Sequence, residues 1–446
     1  MDDVCCLDMV ELARRIANRE LSSTELTRAY LERIERFDPL LRAFITVDAE
    51  RAVARAKAAD TTLPSGALHG VPIAVKDNIA TRGLRTTAGS RVLSSWVPDA
   101  DAPVVRSLAD AGAVLIGKTN LHEFAYGGTC TNVEFGAVRN PWNPAHVPGG
   151  SSGGSGVAVA AGLCAAALGT DTAGSVRLPA AQCGVVGLKP TYGRTSIQGV
   201  IPLAWSLDHA GPMCRSARDA ALMLEALTGK AVRDRAVNVK TLRLGVPRAL
   251  FYEDLDPEVR KAVVKATDTL SRITSGARDV VLPMPAQSRD LPVLPETYVR
   301  ILGAEAHAFH LEMLHAHPDR YNAGTRKSIE SGAAVTAADY IRARQDMQRL
   351  RAESGRLFAD ADLLITPTAP AAAFEFGVRR VAFLRNTAPW NLLGLPSVSV
   401  PCGFTTEGLP IGLQITGAAG RDNAVLALAA LYQKATDWHT RHPPIG

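Results

Sequence analysis

The sequence predicts an α/β protein in which helices cover a sheet. Two observations carry this prediction. In the first half of the chain, apolar strand patterns such as HGVPIAVKD (69–77) alternate with helical patterns. Short apolar runs with Pro stops return at 361–415, where DLLITPTAP, LPSVSVP and LPIGLQITG predict further strands. The 446 residues are 47% apolar and 21% charged, which is typical of a globular protein with a large core.

The elements follow in order along the chain. Residues 8–60 predict helices, and Ser22 and Glu25 form a capping box before LTRAYLERIERF. DAGAVLIGKTN predicts a helix end and a second apolar strand. Residues 127–156 are rich in Gly, Pro and Asn, and a structureless stretch of this length in a compact domain is usually functional. VAVAAGLCAAALGT predicts a buried helix that runs into a strand, ARDAALMLEALTG an amphipathic helix, and DNAVLALAALYQKATDW a last helix.

Residues 230–360 differ from the rest, because they are more charged, mostly helical and without Gly-rich loops. The segment from Arg342 to Ala359 predicts a strongly charged helix. We therefore predict a single domain with four parts. These are N-terminal helices 1–60, a core 61–225, a helical insertion 230–360 and a C-terminal core 361–446.

Charge and cysteine usage restrict the environment. The net charge of +5 comes from interspersed signs, so we expect neither a nucleic-acid partner nor a membrane surface. Seven cysteines without a CxxC pair favour a reducing, cytoplasmic compartment. The N-terminus MDDVCCLDMVEL lacks the pattern of a signal peptide, and the longest apolar run, Val157–Leu168, is too short to span a bilayer.

Two serines lie in Gly-rich segments 24 positions apart, Ser151 in GGSSGGSG and Ser175 in DTAGSVRLPA. A serine hydroxyl is a weak nucleophile until a base removes its proton. Around Ser175, small residues would let successive backbone N–H groups point at one substrate carbonyl and form an oxyanion hole. The alternative is a solvent loop that uses glycine and serine only for its turn geometry.

The segment around Ser151 has three other interpretations. It could hold a phosphate at a helix N-terminus, although it lacks the Gly-Lys-Ser/Thr ending of a P-loop. It also fits GxSxG, the nucleophile elbow of α/β-hydrolases, but that elbow follows a strand, and NPWNPAHVP precedes this segment. A flexible linker is the third interpretation, and the apolar segment directly after the loop argues against it.

The base that the sequence offers beside these segments is Lys76, at the end of an apolar run. A strand-end lysine that reaches solvent is the alternative. Burial would disfavour the ammonium and lower the pKa from about 10.4 toward neutrality, so that the neutral amine could act as a general base.

Histidines provide weaker candidates. Asp208 and His209 are neighbours that could supply triad partners, on the evidence of a single Asp-His pair. A histidine-rich patch lacks a metal-ligand spacing such as HExxH, so we expect no metal site. The patch consists of His307, His310, His315 and His317 with Glu305 and Glu312.

Together these motifs resemble the amidase signature family. They occur in the family's order from about residue 65 to 417, and the pair of Gly-rich serine motifs is highly specific. The resembling segments are VPIAVKDNI, TTAGS, IGKTNLHEFA, NPWNP, PGGSSGGSG, GTDTAGSVRLPAAQCGVVGLKPTYGR, LITPTAP, GLPSVSVPCG and GLPIGLQITG.

The resemblance implies a fold and a site. The family fold is an α/β/α sandwich around a large mixed sheet, with neither a metal nor an organic cofactor. Lys76 is similar to the family's catalytic lysine, Ser151 to its bridging serine on a cis peptide, and Ser175 to its nucleophile. The implied oxyanion donors are the N–H groups of Thr172, Ala173, Gly174 and Ser175, and the implied acyl-side lining is Ala125, Tyr126, Gly127 and Gly128.

Two departures from the family pattern bear on specificity. The family mostly has Gly-Gly before the nucleophile, whereas this chain has Ala173-Gly174, and alanine fits unless position 173 requires a positive φ. The family's tRNA-linked amidotransferases hold glutamine with an Arg and an Asp of their A-type subunits. The matching positions here fall on Ser328 and near Leu384–Arg385, which counts against glutamine.

We therefore expect a free-standing amidohydrolase that cleaves a small amide through a serine acyl-enzyme, and the family makes a homodimer plausible. One alternative is an amidotransferase A-type subunit that releases ammonia from glutamine for a partner. The other is a hydrolase of urea- or carboxybiuret-type amides. Tyr126, Trp205 and Trp390 are aromatic candidates for the pocket wall, each with core packing as its alternative.

Overall fold

The computed structural model describes residues 4–64, 66–232, 237–283, 294–378 and 381–445. Within these residues, eleven strands form one mixed sheet with flanking helices, which confirms the predicted α/β fold class. The strands are β1 (Phe44–Val47), β2 (Pro72–Lys76), β3 (Val114–Thr119), β4 (Ala166–Thr170), β5 (Val186–Lys189), β6 (Ala210–Cys214), β7 (Leu244–Pro247), β8 (Ala277–Val280), β9 (Leu363–Pro367), β10 (Ser397–Phe404) and β11 (Pro410–Gly417).

Helices precede, separate and follow these strands. The predicted capping box is confirmed, because the Ser22 side chain accepts the Glu25 N–H at 3.0 Å and the Glu25 carboxylate accepts the Ser22 N–H at 3.3 Å. The helices are α1 (Met9–Ala17), α2 (Ser23–Leu41), α3 (Ala49–Thr61), α4 (Pro103–Asp110), α5 (Gly153–Ala160), α6 (Arg177–Cys183), α7 (Ala217–Thr228), α8 (Pro257–Ile273), α9 (Glu296–Ala316), α10 (Ala323–Ser331), α11 (Ala337–Glu353), α12 (Ala388–Leu392) and α13 (Asp422–Lys434).

The strand order places the ends of β2 and β4 side by side. The order is β1-β3-β2-β4-β6-β5-β10-β11-β9-β7-β8, and β2 runs parallel to both β3 and β4. Parallel neighbours carry their carboxyl ends to the same edge of a sheet. Lys76 ends β2 and Thr170 ends β4, so the fold brings these two side chains together.

Every residue of β2, β3 and β4 is buried, as expected for parallel strands that are covered on both faces. A polar side chain at the end of such a strand is therefore surrounded by protein. Of the helices in the described ranges, none combines the length and the apolar composition that a membrane-spanning segment needs.

The segment 230–360 contributes more than helices. It supplies β7 and β8, which extend the sheet at one edge, and the sequence analysis missed both. Each strand has only four residues, and β8 contains Arg278 and Asp279, which are exposed, so neither strand has a clear apolar pattern. Residues 233–236 and 284–293 of this segment lie outside the described ranges. The division of the chain into four parts stays a prediction.

Candidate active site

Lys76 lies in the interior of the protein. Its side chain is 0% exposed, and Nζ lies 2.8 Å from Ser151 Oγ and 2.7 Å from Thr170 Oγ1. Both partners are uncharged hydroxyls, so neither compensates fully for burying an ammonium. Burial lowers the pKa of Lys76 to about 7, which leaves a large share of this side chain as the neutral amine at neutral pH.

Ser151 is held through its peptide groups as well as its hydroxyl. It is fully buried, and the bond Gly150–Ser151 is cis. Its carbonyl accepts the His122 backbone N–H at 3.2 Å and the Cys130 thiol at 3.1 Å. With Lys76 bound to its hydroxyl, Ser151 is fixed next to the buried amine.

Ser175 lies just before α6, in the loop that follows β4. It is 6% exposed, and its carbonyl accepts the Ser152 N–H at 3.2 Å, which ties the two serine segments together. Across the described ranges, no hydrogen bond joins the hydroxyls of Ser151 and Ser175. Catalytic hydrogen bonds often tighten only when substrate is bound. The structure thus contains the contact between lysine and the first serine, and it places the second serine beside it.

The four backbone N–H groups predicted as oxyanion donors are not equivalent. The Gly174 N–H donates to the Asp171 carboxylate at 2.8 Å and is therefore occupied. The N–H groups of Thr172, Ala173 and Ser175 have no acceptor among the residues that the structure describes. This finding narrows the predicted oxyanion hole to three donors.

Glycine is required at position 174 but not at position 173. Gly174 has a φ of +126°, and a Cβ there would lie 2.3 Å from Thr387 Oγ1. Ala173 is not among the described residues with positive φ. The Ala-Gly pair therefore satisfies the backbone, and the departure from Gly-Gly carries no strain at position 173.

A buried ion pair supports this loop, and the sequence analysis did not single it out. Arg177 is fully buried and bonds the Asp171 carboxylate at 2.9 and 3.0 Å. The same guanidinium donates to Asn391 Oδ1 at 2.7 Å and to Gln414 Oε1 at 2.8 Å. Burial by itself would raise the pKa of Asp171, but the charge and hydrogen bonds of Arg177 hold it well below its usual range. The signal was two opposite charges within the apolar motif DTAGSVR.

The predicted acyl-side segment lies beside the bridging serine. A Cβ on Gly150 would lie 2.9 Å from the carbonyl carbon of Gly128, so the two backbones are in contact. A Cβ on Gly127 would lie 2.4 Å from the His122 ring. Tyr126 is half-buried next to an apolar cluster, and burial raises its pKa to about 12. Ala125 is buried with a φ of +60°.

The structure does not support phosphate binding by GGSSGGSG. The segment leads into α5, and the first N–H groups there already have protein acceptors. The Gly153 N–H donates to the Cys130 sulfur at 3.1 Å, and the Gly154 N–H donates to the Asn120 carbonyl at 3.0 Å. The nucleophile-elbow alternative also lacks the strand it requires, because residues 140–150 form turns and bends.

The aromatic pocket candidates differ in their environment. Trp390 is fully buried and stacks on Phe251 with ring centroids 5.1 Å apart, so it is a core residue. Trp205 is 38% exposed, and its carbonyl accepts the Tyr192 hydroxyl at 3.2 Å. Of the three candidates, only Tyr126 belongs to the predicted acyl-side segment.

Asp208 and His209 do not form a triad with Ser175. Asp208 accepts the Thr172 hydroxyl at 2.5 Å, and burial raises its pKa to about 7. His209 Nε2 lies 3.2 Å from Lys189 Nζ, and its Nδ1 lies 2.7 Å from a backbone carbonyl. Both residues therefore support the loop that carries Ser175.

The histidine patch is used for packing. His310 is buried, its Nδ1 lies 3.0 Å from the Tyr321 hydroxyl, and its ring packs edge-on against Phe124 at 4.3 Å. Glu305 accepts the Ser206 N–H at 2.9 Å instead of facing the histidines. In the described part of the chain, no group of three or more His, Cys, Asp or Glu side chains could hold a metal ion.

The positions matched to the glutamine-holding pair carry neither charge into the site. Leu384 belongs to the same apolar cluster as Ala173. Arg385 is buried, and its guanidinium bonds the Glu253 carbonyl and lies 3.5 Å from the Asp254 carboxylate. Ser328 is half-buried on α10.

Comparisons with known proteins identify the family. The sequence model described as Amidase matches residues 25–426. The chain is 42% identical to the A-type subunit of the glutamyl-tRNA(Gln) amidotransferase from Methylococcus capsulatus, with 98% of each chain covered. It is 36% identical to a protein whose structure is described as "Crystal structure of amidase", with a TM-score of 0.88, 96% of this chain and 99% of that chain covered. A structure described as a vestigial protein complex that reveals the origins of an s-triazine catabolic enzyme matches at 33% identity and a TM-score of 0.87, with 96% and 98% covered.

These comparisons correct one expectation. The sequence analysis expected a small-molecule amide as the only partner and excluded nucleic acid, and this expectation is wrong. A relative that matches the chain from end to end is named as one subunit of an amidotransferase for glutamyl-tRNA(Gln). The physical reason is that the surface charge of one chain does not report on what an assembly holds. The extent of the family match and the identity to these relatives show that the chain belongs to the amidase signature family of amide C–N hydrolases.

Proposed function

We propose that the chain is the A-type subunit of an amidotransferase, which releases ammonia from glutamine for a partner subunit. The relative at 42% identity is named as such an amidotransferase component and matches the chain from end to end. The contact that supports the chemistry is the one between the buried Lys76 amine and the Ser151 hydroxyl, 2.8 Å apart. A hydroxyl next to an amine with a pKa of about 7 can pass a proton in either direction near neutral pH.

The first half of the reaction forms the acyl-enzyme. The neutral amine of Lys76 takes the proton of Ser151, and Ser151 takes the proton of Ser175. The Ser175 oxygen then attacks the amide carbonyl, and the carbonyl oxygen becomes an oxyanion. The unoccupied N–H groups of Thr172, Ala173 and Ser175 are the groups that would bind this oxyanion.

The second half releases the products. Ser151 donates its proton to the amide nitrogen, the C–N bond breaks and ammonia departs, leaving an ester on Ser175. Protonation is required because an amide anion is a very poor leaving group. Water, activated by the same amine through Ser151, hydrolyses the ester to the acid and restores the Ser175 hydroxyl. With glutamine as substrate, the acid is glutamate and the ammonia passes to the partner.

The test is an assay of ammonia release from glutamine by the chain alone and after co-expression with candidate partner subunits. We expect co-elution in gel filtration and a higher rate of ammonia release in the assembly. A chain that remains alone and leaves glutamine intact, while it hydrolyses other amides, would contradict the subunit role and leave the hydrolytic chemistry standing.

A second function is a hydrolase of urea- or carboxybiuret-type amides. The observation that favours it is that Leu384, Arg385 and Ser328 do not provide the Arg and Asp that the family uses to hold glutamine. The structural relative whose description refers to an s-triazine catabolic enzyme points in the same direction. A panel of glutamine, aliphatic amides, aryl amides and biuret separates the two functions by the ratio of their kcat/KM values.

The same proposal includes a cytoplasmic location. Five thiols are free and buried among apolar neighbours, which suits a reducing compartment. They are Cys130, Cys164, Cys183, Cys214 and Cys402.

A further inference from the structure

A tyrosine from the charged helical segment reaches the loop that carries Ser175. Tyr298 lies on α9, its side chain is fully buried, and its hydroxyl donates to the Thr172 carbonyl at 3.1 Å. Burial raises the pKa of Tyr298 well above its ordinary value, so the phenol stays protonated and acts as a donor. The two partners are 126 positions apart in the chain, and no sequence motif links them.

The geometry of a peptide group gives this contact a consequence. In a trans peptide the C=O and the N–H point in opposite directions. The bond between Thr172 and Ala173 is not cis, so a carbonyl directed at Tyr298 sends the Ala173 N–H away from that ring. Tyr298 occupies the closed side, because it is 0% exposed, whereas Ala173 is 7% and Ser175 is 6% exposed.

The next peptide of the loop is held in the same manner. The Thr387 hydroxyl donates to the Ala173 carbonyl at 2.5 Å, and the Gly174 N–H on the other end of that peptide donates to Asp171. Two consecutive carbonyls are thus held by hydroxyls from distant segments. Only the first of these peptides has an N–H group without an acceptor in the described ranges, which is that of Ala173.

We infer that Tyr298 is a positioning residue that orients the Ala173 N–H toward the oxyanion. This inference rests on the proposed function, because it requires Ser175 to be the nucleophile. Tyr298 does not touch the reacting atoms. It acts through the Thr172 carbonyl, and its removal would let the peptide rotate and weaken one of the three donors.

The test uses a fluorophosphonate, which reacts with an active serine without knowledge of the natural amide. The Ser175 oxygen bonds to phosphorus, fluoride leaves, the serine proton passes to Ser151, and the phosphoryl oxygen occupies the oxyanion hole. Removing an oxyanion donor outright costs about 10²–10³-fold in rate. For Tyr298→Phe, which only loosens a donor, we expect labelling of Ser175 to slow about tenfold.

The chain offers a matched control. Tyr252 is also buried, and its hydroxyl donates to the Ile365 carbonyl at 3.2 Å, away from the loop. Tyr252→Phe removes the same kind of hydrogen bond, so both variants should lose similar thermal stability, while only Tyr298→Phe labels slowly. The midpoint of its pH–rate profile should match that of the wild type, because Lys76 is unchanged. 3-Fluorotyrosine at position 298 keeps the hydroxyl and should restore the rate.

The outcomes separate two kinds of failure. If the wild-type chain is not labelled at Ser175, the proposed nucleophile is wrong and the inference falls with it. If Ser175 is labelled and the two phenylalanine variants react at equal rates, the proposed nucleophile stands and the role of Tyr298 is overturned. The same conclusion follows if 3-fluorotyrosine at position 298 reacts as slowly as phenylalanine.

Discussion

Two buried lysines on neighbouring strands meet different partners. Lys76 ends β2, and Lys118 lies on β3, where it pairs in register with Val75. Successive side chains of a strand point to opposite faces, so the two lysines lie on opposite faces of the sheet. Both are 0% exposed. They therefore bear a similar burden of desolvation in two separate environments.

The partners of the two amines explain their different roles. Lys76 contacts hydroxyls only. Lys118 Nζ donates to the Ile79 carbonyl at 2.6 Å and to Thr86 Oγ1 at 2.7 Å, and it lies 3.6 Å from the Asp77 carboxylate. Burial lowers the pKa of both lysines, to about 7 for Lys76 and to about 8 for Lys118, where Asp77 opposes the shift.

The comparison shows that a buried lysine is not by itself a base. Burial makes the neutral amine accessible, but a nearby group must accept and donate the proton. Lys76 has the Ser151 hydroxyl for this purpose. Lys118 has acceptors that hold an ammonium in place, which suits a structural role for the loop around residues 79–87.

The largest effect should come from the nucleophile that Lys76 is proposed to serve. We expect Ser175→Ala to reduce kcat for amide hydrolysis by about 10⁴-fold or more and to abolish fluorophosphonate labelling. Mass spectrometry of the labelled peptide checks the assignment. Label on Ser151 in the wild-type protein would reverse the roles of the two serines.

The two lysines should respond in opposite ways to the same substitution. Lys76→Met removes the base and should reduce kcat by about 10³-fold or more, with little loss of stability, because a buried amine is replaced by an apolar side chain. Lys118→Met leaves Asp77 buried without its cation and should lower the free energy of unfolding by about 3–5 kcal/mol. Kinetics and urea unfolding of both variants measure the contrast, and a large loss of kcat in a folded Lys118→Met protein would erase it.

The pH dependence should follow Lys76. The neutral amine is the active form, so kcat/KM should rise with pH, with a midpoint at about 7, and fall about tenfold per pH unit below it. The folded pKa lies below the unfolded value of about 10.4, so the unfolded state binds more protons between these values. Stability should therefore also rise with pH across this window. A flat profile of kcat/KM from about pH 5 to about pH 9 would count against the lysine base.

The smallest effect should come from the two threonines that hold the amines. Thr170 Oγ1 and Thr86 Oγ1 each lie 2.7 Å from a lysine Nζ, of Lys76 and Lys118 respectively. Thr170→Val removes an acceptor that favours the ammonium, so the midpoint of the pH–activity profile should move down by about one unit. Thr86→Val is the matched control and should leave that midpoint unchanged. Equal midpoints in the two variants would remove the distinction.

The sequence predicted the parts of the site that local motifs encode. VPIAVKD placed Lys76 at the end of a buried strand, and the two Gly-rich motifs located Ser151 and Ser175. It could not reveal Tyr298 or Asn391, because these residues reach the loop from positions more than about 120 residues away and carry no local pattern. Short strands such as β8 were missed for a similar reason, since their pairing and not their composition makes them strands.

Partners were the other part that the sequence could not predict. Mixed surface charge excludes a strong electrostatic footprint on this chain, but it does not report on what a second chain of an assembly binds. The relatives supplied that information.

The most direct test of the account is ¹⁵N NMR of the lysine Nζ atoms, with the Lys76 signal assigned by its absence in Lys76→Met. The account predicts that the Lys76 amine loses its proton with a midpoint at about pH 7. A Lys76 signal that remains an ammonium up to about pH 9, as for a lysine in water, would contradict it.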